Sequence, residues 1–285
     1  MHQRTIAREA VVEGIGLHSG RLARVVLRPA PAGNGIVFRR VDLAGSPPVR
    51  ASLDSVGGTD RGVTLRSPVS DLQSPVSVAT VEHLLSAAYG LGIDNLAVDV
   101  EGEELPAGDG SAIVYVKALR EAGVVELDAL RSRICLEEAV WAKDDASCIV
   151  ALPFPRLKAR YIVELPTLGV QVATFDAGSD RYEEAIAPAR TWGFLEEAER
   201  LRQQGLALGA SEENVLVLSH QGYVSTPRFP EEPARHKILD LLGALALLGG
   251  EVLGEFLAVG GGHTLHVALA RKILEQGKVS VSGPS

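Results

Sequence analysis

His236 and Asp240 stand four residues apart, so on a helix both project from one face. Their neighbours Ile238, Leu239, Leu241, Leu242, Ala244, Leu245, Ala246, Leu247 and Leu248 are apolar on nearly every side, and Asp240 is therefore expected to be buried. A buried carboxylate without a partner costs roughly several kcal/mol, so a metal ion or a cationic side chain must compensate it. A surface His–Asp pair at a helix start is the ordinary alternative.

The run Thr80-Val81-Glu82-His83 adds a second His beside a second acid, in the first turns of an apolar stretch. Alone it says little: Glu at a helix start complements the dipole, and a lone His on such a helix is ordinarily structural. Together with His236 and Asp240 it says more. Two His and one carboxylate from separate segments match a catalytic zinc site, with three protein ligands and a position left for water. Such an ion lowers the pKa of that water toward ~7, and an unbound carboxylate beside a ligand, here Glu82, can take the proton. His₂Asp suits iron(II) as well as zinc. His263 follows Gly260-Gly261-Gly262 at a helix start, where an imidazole is placed to protonate a leaving amine; a capping or surface His is equally ordinary. Thr191, in Ala189-Arg190-Thr191-Trp192-Gly193-Phe194, offers a hydroxyl to a developing oxyanion, although a packed turn also explains that run.

The elements that must position these residues follow from periodicity. Strands are expected at Ala23–Leu27, Gly35–Arg39 and Asn95–Glu101, and helices at Val78–Leu91, stopped by Gly90 and Gly92, and at Ser111–Ala122. After a boundary near Glu126–Arg131 the order repeats. Strands are expected over roughly Arg133–Val150, Ala159–Glu164, Asn214–Leu218 and Phe256–Val259, and helices at Phe194–Gln204, Ala234–Leu248 and His263–Gln276. This order predicts two α+β halves, residues 1–127 and 128–285, each with strands in one layer and helices in the other.

Composition sets limits. The net charge of −8 is spread along the chain and offers no basic face, so nucleic acid is not an expected partner. Cys135 and Cys148 form no CxxC and lie near no His, which suits reduced thiols of a cytoplasmic protein. The start of the chain has no apolar core of a signal peptide. The apolar run 238–248 is too short to span a bilayer, and Asp240 interrupts it. A soluble protein, not integral to a membrane, is expected.

Taken together, these segments resemble the UDP-3-O-acyl-N-acetylglucosamine deacetylase family, the zinc-dependent deacetylases of lipid A synthesis. The resemblance runs through Gln3-Arg4-Thr5, Gly14-Ile15-Gly16-Leu17-His18-Ser19-Gly20, Arg28-Pro29-Ala30, Thr80-Val81-Glu82-His83-Leu84 and Gly92-Ile93-Asp94-Asn95. It continues through Asp109-Gly110-Ser111, Ala189-Arg190-Thr191, Arg235-His236-Lys237 with Asp240, and Gly261-Gly262-His263. It implies two βα-sandwich domains face to face with the active site between them, each with a small insert, the second insert at about 192–224. It implies zinc on His83, His236 and Asp240, Glu82 as general base, His263 as the acid and Thr191 as oxyanion donor. Lys237 is implied to contact the polar head of an acylated UDP-amino-sugar, and Phe194 to line an acyl passage. A monomer is favoured.

The sequence also departs from the family pattern. The family's aspartate one turn after the last ligand is Ala244 here; His266 replaces a usual asparagine and is a candidate to compensate. Trp192 replaces Phe, and Thr226-Pro227 stands where Gly-Leu is usual. These changes leave open a different N-acyl substrate, or a non-catalytic relic that binds metal or sugar nucleotide.

Overall fold

The computed structural model describes residues 1–67 and 75–276, and residues 278–280 as a strand. Six helices carry the site and its surroundings: α1 (Glu82–Gly90), α2 (Ile113–Ala122), α3 (Tyr182–Ala185), α4 (Ala198–Gln203), α5 (Glu232–Ala246) and α6 (His263–Gln276).

The first half builds a five-stranded sheet in the order Ala10–Ile15, Leu22–Pro29, Leu96–Glu101, Ile36–Arg40, Val49–Arg50. Its neighbours are antiparallel except for the parallel pair Ile36–Arg40 and Leu96–Glu101. Leu96, Val98 and Val100 alternate into the core, the period-2 signature of a half-buried strand. The opposite face carries charge pairs such as Arg24 with Glu13 and Glu101. A small sheet of Val56–Gly58, Thr64–Arg66 and Ser77–Val78 stands beside it.

The second half builds a seven-stranded sheet around Glu251–Val259. That strand pairs with Cys148–Leu152, Leu157–Leu165 and Arg133–Cys135. Val140–Lys143 and Gly169–Asp176 extend it, and Lys278–Ser280 pairs with Arg133–Cys135. Trp192–Phe194, Leu216–Ser219 and Gly222–Tyr223 form a separate small sheet within the span 192–224. Each half thus has a main sheet, helices on one side of it, and a small additional sheet, the α+β arrangement expected.

The helix layers meet. α1 packs along α5, and Leu84, Leu85, Ala87 and Ala88 on one helix, with Leu239, Leu241, Leu242 and Leu245 on the other, are inaccessible to solvent. Such burial on every side explains why these helices read as apolar all round. Gly243 makes the approach possible: a Cβ there would lie 2.5 Å from the Glu82 carbonyl oxygen.

The motifs at the two ends of the first half tie it shut. Thr5 donates through its hydroxyl to the Asn95 carbonyl, Arg4 donates its N–H to Asp94, and Asn95 Nδ2 donates to Gln3 Oε1. His2–Ile6 pairs with Val124–Leu130. Residue 127 lies inside that strand, so a division of the chain into two units is best proposed just after it, before Arg133.

Two helix boundaries differ from expectation. α1 begins at Glu82, not Val78, because Val78 pairs with Leu65 in the small sheet and Thr80 takes φ +57°. The helix expected from Phe194 shrinks to α4, because Trp192–Phe194 pairs in parallel with 216–218.

Candidate metal and hydrolytic centre

α1 presents Glu82 and His83 in its first turn, and α5, with Pro233 in its first turn, presents His236 and Lys237 in its second turn and Asp240 at its middle. Glu251–Val259 runs through the three glycines into α6, whose first residue is His263. These side chains, with Thr191, line one cleft of about 380 Å³.

His83, His236 and Asp240 are all buried, and one ligand atom from each lies within 4.8 Å of the others. The His236 Nδ1–H donates to the Ala189 carbonyl at 3.0 Å, the tautomer assigned from that bond. Its Nε2 then carries a lone pair and faces Asp240 Oδ1 at 3.3 Å. Two acceptors face each other with no proton between them, and Asp240 Oδ1 has no hydrogen-bond partner although Asp240 is only 1% exposed. A shared cation resolves that conflict, and a hydrogen bond on the outward nitrogen of a ligating His is the usual support. The cluster suits a metal ion.

Electrostatics agree. Burial, then the neighbouring His236, pushes His83 down to about 3, and burial lowers His236 as well, so both imidazoles are neutral donors. Burial pushes the Asp240 carboxyl upward, but His236, His263, Lys237 and His83 outweigh it and hold it below the ordinary range. Lys237 Nζ is 3.3 Å from Asp240 Oδ2 and 5.9 Å from the Trp192 ring centre.

Glu82 is 3% exposed; its Oε2 accepts from the Val63 N–H at 2.9 Å. Its Oε1 lies 3.9 Å from His263 Nε2, which is also 3.9 Å from Asp240 Oδ2. Burial, with the Asp240 charge, pushes Glu82 up to about 8, and burial pushes His263 down to about 4. Without a metal these shifts leave Glu82 largely protonated and His263 neutral near pH 7; a divalent cation beside Asp240 would favour the ionised form of Glu82.

His263 Nδ1 is buried without a hydrogen-bond partner, and Ala244, one turn after Asp240 on α5, is itself buried and offers no polar group. His266 does not fill that role. Its Nε2–H bonds Tyr161 Oη at 2.8 Å, the tyrosine donates onward to the Gly260 carbonyl, and its own Nδ1 is unpartnered. His266 anchors the glycine loop that leads to His263.

Thr191 is held by its backbone, donating to Gly110 and accepting from Leu216. Phe194 lines an adjoining cavity of about 450 Å³ with Leu195, Leu201, Val215 and Val217; Leu17, Arg61, Thr191 and Trp192 border both spaces. The sequence reading misses Glu104, 3% exposed, which accepts from His18 N, Ser19 N and Thr80 Oγ1. In sequence it belongs to the acidic run Glu101-Gly102-Glu103-Glu104, which reads as a solvated edge.

Residues 3–275 match the sequence model of the UDP-3-O-acyl N-acetylglycosamine deacetylase family. A relative from Thermosynechococcus vestitus, named UDP-3-O-acyl-N-acetylglucosamine deacetylase, is 40% identical over 277 residues, 96% of this chain and 94% of its own. Relatives of the same name from Alcanivorax borkumensis and Chlamydia abortus are 38% and 39% identical, over 97% and 96% of this chain and 91% and 97% of theirs.

Proposed function

This chain belongs to the UDP-3-O-acyl N-acetylglycosamine deacetylase family, and from that premise we propose that it hydrolyses the N-acetyl group of an acylated UDP-N-acetylglucosamine, using zinc held by His83, His236 and Asp240. The observation that carries the metal is the pair of facing acceptors, His236 Nε2 and the unpartnered Asp240 Oδ1, 3.3 Å apart and out of water. Iron(II) fits the same donors.

A divalent ion held there supplies Lewis acidity, polarising an amide carbonyl and acidifying a water. Glu82 is the general base. Its fixed Oε2 leaves Oε1 turned toward His263, ready to take a proton from the attacking water. The proton that Glu82 takes passes on through His263, whose Nε2 sits between the Glu82 and Asp240 carboxylates, to the departing amine. Thr191 donates to the oxyanion, and Lys237 engages the polar head of the substrate from the cleft wall. The cavity bordered by Phe194, Leu201 and Val217 takes the acyl chain. Acetate and a free amino-sugar leave. The setting is the cytoplasm, where sugar nucleotides are used, and the acting species is a monomer. Among the described residues no helix is long and apolar enough to cross a membrane.

The test is Glu82→Gln, with one metal per chain confirmed. Removing a general base is expected to lower kcat by roughly 10²- to 10⁴-fold. Parent-like turnover in that variant would remove Glu82 from the mechanism.

A further inference from the structure

Among the described residues three non-glycine positions have positive φ: Arg61 at 58°, Thr80 at 57° and Ala207 at 53°. All three meet one cluster. His18 Nε2 lies 3.0 Å from the Arg61 carbonyl, and its Nδ1 accepts from the Ala207 N–H at 3.4 Å. The Glu104 carboxylate accepts from the N–H of the same His18 at 2.9 Å, from Ser19 N–H at 2.7 Å, and from the Thr80 hydroxyl at 3.0 Å. A β-branched residue in the left-handed region is an outlier, and it persists only where its surroundings over-determine it. The fit around Glu104 is close: a Cβ at Gly16 would lie 2.3 Å from Glu104 Oε2.

We propose that Glu104 is a positioning residue for the hydrolysis, holding Thr80 in its left-handed conformation so that α1 opens with Glu82 and His83 aimed at Asp240. This rests on the deacetylase reading above. Thr80 precedes Glu82 by two residues, so the turn at Thr80 sets where both chemical groups emerge. The same carboxylate fixes the Gly16–Ser19 turn. That turn's Leu17 and His18 carbonyls accept from Gly209 N–H at 3.1 Å and Leu208 N–H at 3.0 Å, in the segment that leads to the wall of the apolar cavity. Glu104 thus ties the metal-facing pair in one half to the acyl cavity in the other.

The test is a double-mutant cycle with Glu104→Ala and Thr80→Gly. Its readouts are zinc affinity by chelator competition, which needs no substrate, and kcat and KM for acetate release. Loss of an outer support of a metal site is expected to weaken zinc and lower kcat by roughly 10- to 100-fold, with a smaller change in KM. Glycine adopts positive φ without a tether, so Thr80→Gly added to Glu104→Ala is expected to restore most of the zinc affinity and kcat. The dependence of KM on acyl length is not expected to recover, because the Gly16–Ser19 turn is still untied. If Glu104→Ala does not fold, Glu104→Gln, which sets an amide NH₂ against a backbone N–H, is run through the same cycle with the same expectations. A Glu104 effect within twofold, or an equal fold-loss with Thr80 and with Gly at position 80, overturns the proposal. Parent protein that binds zinc but releases no acetate overturns the deacetylase reading and leaves the zinc arm of the cycle to decide on Glu104.

Discussion

Substituting Gly243 by Ala sets two effects of opposite sign against each other. Gly243 lies inside α5, and in an open helix interior Gly→Ala stabilises by about 1 kcal/mol. Here the added Cβ would stand 2.5 Å from the Glu82 carbonyl oxygen, 3.1 Å from its carbonyl carbon and 3.1 Å from its Cα. All three are backbone atoms, so no rotamer change relieves them. To reach even 3.0 Å, α1 and α5 must separate by at least about 0.5 Å, and such overpacking typically costs about 1–3 kcal/mol. The clash therefore matches or exceeds the helix-propensity gain. The atoms displaced are those of the proposed base, one residue before a metal ligand, and a misplacement near 1 Å costs on the order of 10²-fold in rate. The expected result is a lower Tm by calorimetry, weaker zinc binding, and a kcat for acetate release reduced by roughly 10- to 100-fold. A raised Tm with unchanged kcat would refute the close α1–α5 contact.

Ala244→Asp puts a carboxylate one turn beyond Asp240 on α5, which packs against the α6 that begins at His263, whose Nδ1 has no partner. It is expected to raise kcat by about tenfold, the effect of orienting an imidazole through its outer nitrogen; a fall in kcat with intact metal content would argue against that orientation. The pH dependence of stability in metal-free protein follows from the shifted groups. Glu82, raised to about 8, contributes stability that is full below the ordinary carboxylate pKa and is lost as pH rises toward 8. His83, His263 and His266, pushed down by burial to about 3, 4 and 3, contribute stability that is present above about 6.5 and lost as pH falls. Denaturant unfolding should therefore show a maximum near pH 6.5 and an alkaline decline of up to about 1.4 kcal/mol per pH unit. Glu82→Gln should remove the alkaline limb and keep the acid limb; an unchanged alkaline limb would mean that Glu82 is not its source.

The site was legible where local spacing carries it. His236 and Asp240 share a helical face by their separation of four, and the glycine run before His263 marks the start of α6 where the structure has it. The apolar surroundings of Asp240 foretold its burial. What stayed hidden depends on distant partners. Nothing in Thr80-Val81-Glu82 announces a left-handed Thr, since the cause is Glu104, 24 residues on. No strand is anticipated at Gly169–Asp176, because its largest apolar residues lie on both faces: Val170 and Val172 point to solvent while Phe175 points to the core. Phe194 reads as helical with the residues after it until 216–218 claims it as a strand partner. His266 looked available to His263, but Tyr161, from a strand about a hundred residues earlier, holds it instead.

The most direct test of the whole account is a metal titration against turnover. Protein stripped by chelator is reloaded with zinc in steps and supplied with UDP-3-O-acyl-N-acetylglucosamine, while acetate and free amine are both counted. Hydrolysis at a single zinc site requires negligible release without metal, a linear rise that stops at one zinc per chain, and equal amounts of the two products. In Asp240→Ala the rise should vanish together with tight binding. Release that persists in stripped protein or in Asp240→Ala, or no release from protein holding one zinc per chain, contradicts it.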